Sequence, residues 1–202
     1  MSRTVDEEID RMFKITDQMA TCHSVLRDRY HRYSLIAEIV VLVGSATLTS
    51  LAFLDSAALK AIVPSQVPPP ILLAVAGLVT FVASIVQLKV DWGGKSALHA
   101  KAAEFVFDLK NELGRIHLVN SQAERDALFV PVRAKYEMIG KLTPPIPDAQ
   151  FLLLKRLHCL KIEVSRRISR HPGTWPWLMK LRIVFSDNFG KETIEGQGKD
   201  KP

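Results

Sequence analysis

Residues 35–54, LIAEIVVLVGSATLTSLAFL, and residues 71–90, ILLAVAGLVTFVASIVQLKV, are the two most apolar stretches of the chain. Each stretch has 20 residues and one charged side chain, Glu38 in the first and Lys89 near the end of the second. A bilayer core of about 30 Å needs about 20 residues of helix. Buried helices of soluble proteins seldom run so far without a charge. The two stretches therefore predict two transmembrane helices rather than two buried helices of a soluble bundle.

The charges around these stretches predict their orientation. The flanking basic residues are Arg27, Arg29 and Arg32 before the first stretch and Lys89, Lys95 and Lys101 after the second. The connecting segment, 55–70, contains four prolines and a single basic residue, Lys60. Because cytoplasmic flanks carry the excess of Lys and Arg, both termini are expected in the cytoplasm and 55–70 is expected to be a short external loop.

Length and composition narrow the class of protein further. The chain has 202 residues, of which 48% are hydrophobic, and two cysteines, Cys22 and Cys159. Only two stretches are long enough to span a bilayer, which excludes a many-pass transporter. Two distant cysteines in charged surroundings suit a reducing compartment rather than a disulfide framework. The polar, acidic start of the sequence predicts no cleavable signal peptide.

The segment 1–34 predicts one amphipathic helix on the cytoplasmic side. It is expected to start near Thr4, with Glu7 and Glu8 in its first turn, and to continue into the first span. Its apolar stripe comprises Val5, Ile9, Met12, Met19, Leu26, Tyr30 and Tyr33. These residues recur at steps of three, four or seven, so they share one helix face.

The segment 91–142 predicts two further cytosolic helices, separated from the second span by a break at Gly93 and Gly94. The first has an apolar stripe of Leu98, Ala102, Phe105, Leu109, Leu113 and Ile116. The second covers 122–142. A basic helical extension, 143–190, follows, and the tail 191–202 is expected to be disordered. The predicted fold class is therefore all-α, a two-helix transmembrane hairpin with cytosolic amphipathic helices packed as a small helical bundle.

The order of these elements resembles the SLATT family of bacterial two-span membrane proteins. The residues that carry the resemblance lie in the helix after the second span and are His99, Ala102, Ala103, Phe105, Leu109 and Glu112. The resemblance covers about residues 1–142. It rests on architecture and helical phase, not on a catalytic motif.

The resemblance implies a location and a function. SLATT proteins are regarded as effectors of bacterial conflict systems, including defence against phage, that oligomerise and perforate the inner membrane. They are encoded beside nucleotide-generating or nucleotide-sensing proteins, or beside reverse transcriptases. The resemblance thus implies an effector of the bacterial inner membrane, a homo-oligomer, and a separate trigger protein of one of those kinds. The alternative is a membrane scaffold that anchors a cytosolic partner through its helical bundle or basic extension.

Polar side chains form one stripe in each predicted span. The candidate residues are Glu38, Ser45 and Thr49 in the first span and Thr80, Ser84 and Gln87 in the second. Their spacing puts each set on one helix face. In one interpretation the stripes line a conduit in an oligomer, where Glu38 supplies a ring of negative charge that favours cations. In the other, the stripes face each other within one hairpin and form hydrogen bonds there.

A 28-residue stretch, 155–182, carries more than the whole net charge of +6. It holds eight basic residues against Glu163 alone. The candidate membrane-surface contacts within it are Arg166, Arg167, Arg170, Trp175, Trp177, Lys180 and Arg182. Basic residues with tryptophan suit a cytosolic membrane surface with anionic lipids. Nucleic-acid phosphates and an acidic partner protein are the less favoured alternatives.

The sequence contains no recognisable catalytic or metal-binding motif. A nucleophile elbow, a phosphate-binding loop and an H-E-x-x-H motif are all missing. The pairs Cys22-His23 and His158-Cys159 are weak half-sites, because adjacent helical residues point about 100° apart. We therefore expect no catalytic residues, no cofactor and no metal, and a protein that is not an enzyme.

Overall fold

The computed structural model describes residues 4–54 and 68–189, and all regular secondary structure in these ranges is α-helical. The helices are α1 (Val5–Ala52), α2 (Pro69–Val90), α3 (Trp92–His117), α4 (Gln122–Leu142), α5 (Asp148–Arg170) and α6 (Pro176–Phe189). The all-α class is thus confirmed for the described part of the chain. Residues 55–67 of the expected loop and the expected disordered tail, 191–202, lie outside it.

Helix α1 begins where the sequence predicted and continues without a break through the first apolar stretch. Thr4 and Glu7 form a capping box, in which the Glu7 amide donates to Thr4 Oγ1 over 3.4 Å and the Thr4 amide donates to Glu7 Oε2 over 3.2 Å. Asp6, Glu7 and Glu8 lie in the first turn, where negative charge favours the helix dipole. The expected continuation of the N-terminal helix into the first span is confirmed.

The interruption between α2 and α3 lies at Asp91, so the predicted break at Gly93 and Gly94 is wrong. Asp91 has a left-handed backbone, with φ 46° and ψ 59°, and Gly93 and Gly94 belong to the first turn of α3. The Asp91 carboxylate accepts a hydrogen bond of 2.9 Å from the Gly94 amide. Aspartate tolerates this backbone and caps the new helix, which is why the interruption falls on it.

Helix α1 packs antiparallel against α2 and then α3. The pairs in contact, in order along α1, are Asp10 with His117, Asp17 with Lys110, His23 with His99, Arg27 with Ser96, Ser34 with Gly93, and Gly44 with Thr80. The residue number falls along α3 and α2 as it rises along α1, so α1 runs in the opposite direction to the other two helices. Helix α2 starts at Pro69, two residues before the predicted stretch.

The N-terminal part of α1 and the C-terminal part of α3, together with α4, enclose one hydrophobic core. Its buried members are Ile9, Met12, Leu109, Leu113, Ile116, Phe129, Val132 and Ile139. Each buried side chain of this size contributes about 2 kcal/mol by leaving water. The predicted stripe of α3 is largely in this core or half-buried beside it, but Leu98 is 56% exposed and its prediction is wrong. His99 and Val106 occupy the buried face of α3 instead.

The described residues after Ile146, up to Phe189, form a separate compact unit that contains α5 and α6. Val164 of α5 packs with Met179 and Ile183 of α6 in a small core of their own, with Leu160 and Ile168 against it. The segment 171–175, with Pro172 and Gly173, connects the two helices. The predicted basic extension is therefore two helices joined by a short turn.

Candidate functional site

The polar residues predicted in the first span lie on the exposed part of α1, outside the face that contacts α2. Glu38, Ser45 and Thr49 are all exposed, whereas Gly44 next to them contacts Thr80. Ser45 donates to the Leu42 carbonyl over 2.9 Å and Thr49 donates to the Ser45 carbonyl over 2.8 Å. Both hydroxyls form hydrogen bonds within their own helix and need no outside partner. This face of α1 can therefore contact either lipid or protein.

The polar residues predicted in the second span lie on the side of α2 that faces α1. Thr80, Ser84 and Gln87 are half-buried. Thr80 donates to the Ala76 carbonyl and Ser84 donates to the Thr80 carbonyl, each over 2.9 Å. The two predicted stripes therefore do not face each other along their length, because the stripe of α2 lies in the α1–α2 contact and the stripe of α1 lies beside that contact.

The stripes approach each other at one place, a cavity of about 540 Å³ at the junction of α1, α2 and α3. Its lining residues are Ser34, Glu38, Ser84, Gln87, Leu88, Asp91, Trp92 and Gly93. Glu38 accepts a hydrogen bond of 2.7 Å from Ser34, one turn earlier in α1. The cavity combines carboxylate, amide and hydroxyl groups at the end of the apolar stretches, so it is a polar site at the edge of the predicted bilayer.

A pair of buried histidines joins α1 to α3 just beyond this cavity. His23 is fully buried and His99 is 5% exposed, and their Nδ1 atoms are 2.9 Å apart. Tyr30 stacks on the His99 ring with centroids 5.5 Å apart. Burial, and next the neighbouring His99, lower the pKa of His23 to about 4, and burial also lowers the pKa of His99. The pair is therefore held in its neutral form at pH 7.

The contact between His23 and His99 is not among the predictions from sequence, although a signal for it exists. The buried and half-buried positions of the first part of α1 include Ile9, Met12, Thr16, Met19, His23, Leu26 and Tyr30. They alternate steps of three and four, which is the repeat of a helix packed along another helix. Thr16 and His23 are polar, so an apolar stripe does not include them although they lie on the same helix face.

The basic residues predicted to contact a membrane surface lie in the α5–α6 unit. Arg166, Arg170, Trp175, Trp177, Lys180 and Arg182 are exposed, and Arg167 is half-buried. The rings of Trp175 and Trp177 meet edge to face at 6.3 Å. Leu178, Leu181 and Phe185 are also about half exposed. The unit thus presents cationic and apolar side chains together.

The two cysteines have different surroundings. Cys22 is buried, which raises the pKa of its thiol, and Cys159 is exposed. His158 is buried while Cys159 next to it is exposed, as expected for adjacent helical residues. Within residues 4–54 and 68–189, no group of three or more His, Cys, Asp or Glu side chains is placed to hold a metal ion.

Two of the described helices are long and apolar enough to cross a membrane. In the most apolar 18-residue window of each, no residue is buried inside the protein. Comparisons with models of protein families, with curated proteins and with solved structures find no match to this chain. The function is therefore inferred from the fold and from the arrangement of the side chains.

Proposed function

We propose that the protein is a multi-pass protein of the bacterial inner membrane, with 35–54 and 71–90 as its spans and both termini in the cytoplasm. The exposure of both apolar windows supports this, because a protein surrounded by water rarely leaves such large apolar surfaces uncovered. Helix α2 has 22 residues, or about 33 Å at 1.5 Å per residue, which matches a bilayer core. The basic flanks favour the cytoplasmic side for both ends.

Its proposed role is that of an effector that oligomerises and permeabilises the membrane when a partner triggers it. One observation carries this proposal, the exposed position of Glu38, Ser45 and Thr49 beside the α1–α2 contact. Two helices cannot enclose a conduit, so a conduit requires several copies. A polar stripe on the free side of a span is suited to contacts between copies or to a water-filled path.

The SLATT resemblance adds the biological setting to this proposal. It favours a bacterial conflict or antiphage system, in which a nucleotide-system component or a reverse transcriptase acts as the trigger. Residues 91–142 pack against the N-terminal part of α1, so a partner that binds the cytosolic bundle contacts the same helix that crosses the membrane. Such continuity provides a mechanical route from trigger to span.

The experiment is controlled expression in bacteria with a membrane-potential dye and growth recorded together, with and without the neighbouring genes. We expect depolarisation before growth stops, and a changed depolarisation rate for Glu38→Gln. Glu104→Gln, which removes an exposed carboxylate from α3, is the matched control and should behave like the original chain. A polarised, growing culture in the presence of the neighbouring genes would contradict an effector role.

A scaffold or adaptor is the second candidate function. The separate basic unit that contains α5 and α6, with its exposed tryptophans, favours it. Under this alternative a stable partner co-purifies with the chain, and removal of residues 155–202 abolishes that association without any effect on membrane potential.

A further inference from the structure

A cavity of about 540 Å³ lies between α5 and α6 in the C-terminal unit. It is lined by Glu163, Arg166, Arg167, Arg170, His171, Thr174, Leu178, Met179 and Arg182. The small core of Val164, Met179 and Ile183 holds the two helices together directly beside it. The arginines of α5 and the single arginine of α6 are therefore brought to one concave place by packing.

The charge in this cavity is one-sided. Four guanidinium groups and one imidazole face a single carboxylate, that of Glu163. Glu163 is bound to Arg167 at 2.8 Å and to Arg166 at 3.5 Å. Among the residues that the structure describes, Arg170 and Arg182 form no ion pair. The hydrogen bond from Arg167, and then the charges of the arginines around it, lower the pKa of Glu163.

The cations that line the cavity are arginines, while the lysines of these helices lie elsewhere. Lys161 and Lys180 are exposed on α5 and α6 and do not line it. Arginine presents a planar fork of donors that matches the oxygens of a phosphate, whereas lysine acts as a point charge. The apolar side chains of Leu178 and Met179 also line the cavity, which suits the organic part of a ligand.

We propose that this cavity binds the phosphate group of an anionic ligand, with Arg170 and Arg182 as its principal contacts. Arg166 and Arg167, held in place by Glu163, complete the cationic wall. The phosphate belongs either to a lipid headgroup or to a soluble compound, and both offer the same chemistry to the arginines. The site stands independently of oligomerisation and of membrane permeability.

The test uses the full chain in detergent and follows tryptophan emission, since two of the three tryptophans, Trp175 and Trp177, flank the cavity in sequence. One arm titrates inorganic pyrophosphate, and the other titrates dioctanoyl phosphatidic acid with dioctanoyl phosphatidylcholine as its control. Because the double variant Arg170→Gln with Arg182→Gln removes two charge-assisted contacts, and each is worth about a tenfold change in affinity or more, it should raise Kd by roughly a hundredfold or more. Binding of both phosphate probes assigns the site to phosphate in general, and binding of phosphatidic acid alone assigns it to a lipid headgroup.

A matched pair of changes separates this site from general electrostatic attraction. Lys161→Gln with Lys180→Gln removes the same charge from the same helices outside the cavity, and should change Kd by less than about twofold since exposed charges interact weakly in water. Glu163→Gln should tighten binding, because it frees two guanidinium groups. Equal weakening by the arginine and lysine pairs, equal binding of phosphatidylcholine, or no binding of either phosphate probe would overturn the proposal.

Discussion

Nδ1 of His23 in α1 lies 2.9 Å from Nδ1 of His99 in α3, and this contact fastens the two helices just below the predicted membrane. A single N–H···N bond of this kind requires at least one neutral ring, because two imidazolium ions would point donors at each other. His23 Nε2 is buried and has no hydrogen-bond partner within residues 4–54 and 68–189, so a charge on this ring would be without compensation there. The pair therefore makes the α1–α3 contact sensitive to acid.

The first prediction is a loss of stability on mild acidification. His23 has a pKa of about 4 in the folded chain against an ordinary value of 6.5, so the unfolded chain binds more protons between these values. Stability is full above about pH 6.5 and falls as the pH drops towards 4. Between pH 7 and pH 5 the free energy of unfolding should fall by about 2 kcal/mol because of His23. Thermal unfolding in detergent, monitored by circular dichroism, measures this loss.

Two variants isolate the histidine pair in that measurement. His23→Gln with His99→Gln keeps donors and acceptors but cannot titrate, so the pH dependence between 5 and 7 should largely disappear. His31→Gln, an exposed position on the same helix, should retain it. If the double variant kept the original slope, other groups would be its source.

The second prediction concerns the contact between α1 and α2 at Gly44. A Cβ atom there would lie 3.0 Å from Thr80 Oγ1, while a Cβ at Gly77 would meet no atom within 4 Å. Gly44→Val should destabilise the α1–α2 contact by about 1–3 kcal/mol through overpacking. Gly77→Val should stay within about 0.5 kcal/mol of the original chain. Unfolding in mixed detergent measures both, and equal effects would show that the close approach at Gly44 is unimportant.

The third prediction concerns the turn at Asp91. A Cβ atom on Gly94 would collide with Asp91 Oδ2, whereas a Cβ on Gly93 would make an ordinary contact of 3.5 Å with Ser34. Gly94→Ala therefore displaces the capping carboxylate and Gly93→Ala does not. The Gly94 variant should be less stable than the Gly93 variant by about 1 kcal/mol, the usual value of an N-cap. Matching melting temperatures would contradict the capping role.

The helices that the sequence predicts correctly follow from local sequence patterns. The prediction fails where two neighbouring sequence features indicate different positions for a helix break. Thr4 and Glu7 predict the start of α1, and the apolar stretches predict its continuation, because capping and hydropathy act within a few residues. At the junction of α2 and α3, both the two glycines and Asp91 are residue types that can interrupt a helix. The side chain of Asp91 decides the outcome by capping Gly94, which hydropathy and glycine content do not reveal.

The candidate sites were predictable to different degrees. The polar stripes were visible from spacing, but spacing does not tell which stripe faces the neighbouring helix, and Thr80 and Ser45 differ in this respect. The basic character of 155–182 was visible from composition. The convergence of Arg170 and Arg182 on one cavity was not, since it depends on how α5 and α6 pack.

The proposed two-span topology is tested most directly by the side of the membrane on which each segment lies. A membrane-impermeant maleimide is applied to cells that express the chain with Ser56→Cys in the connecting segment. We expect labelling of the cysteine at 56 in intact cells, and labelling of the exposed native Cys159 only after the membrane is permeabilised. Labelling of Cys159 in intact cells, or protein that alkaline carbonate extracts from the membrane, would contradict a two-span protein with cytoplasmic termini.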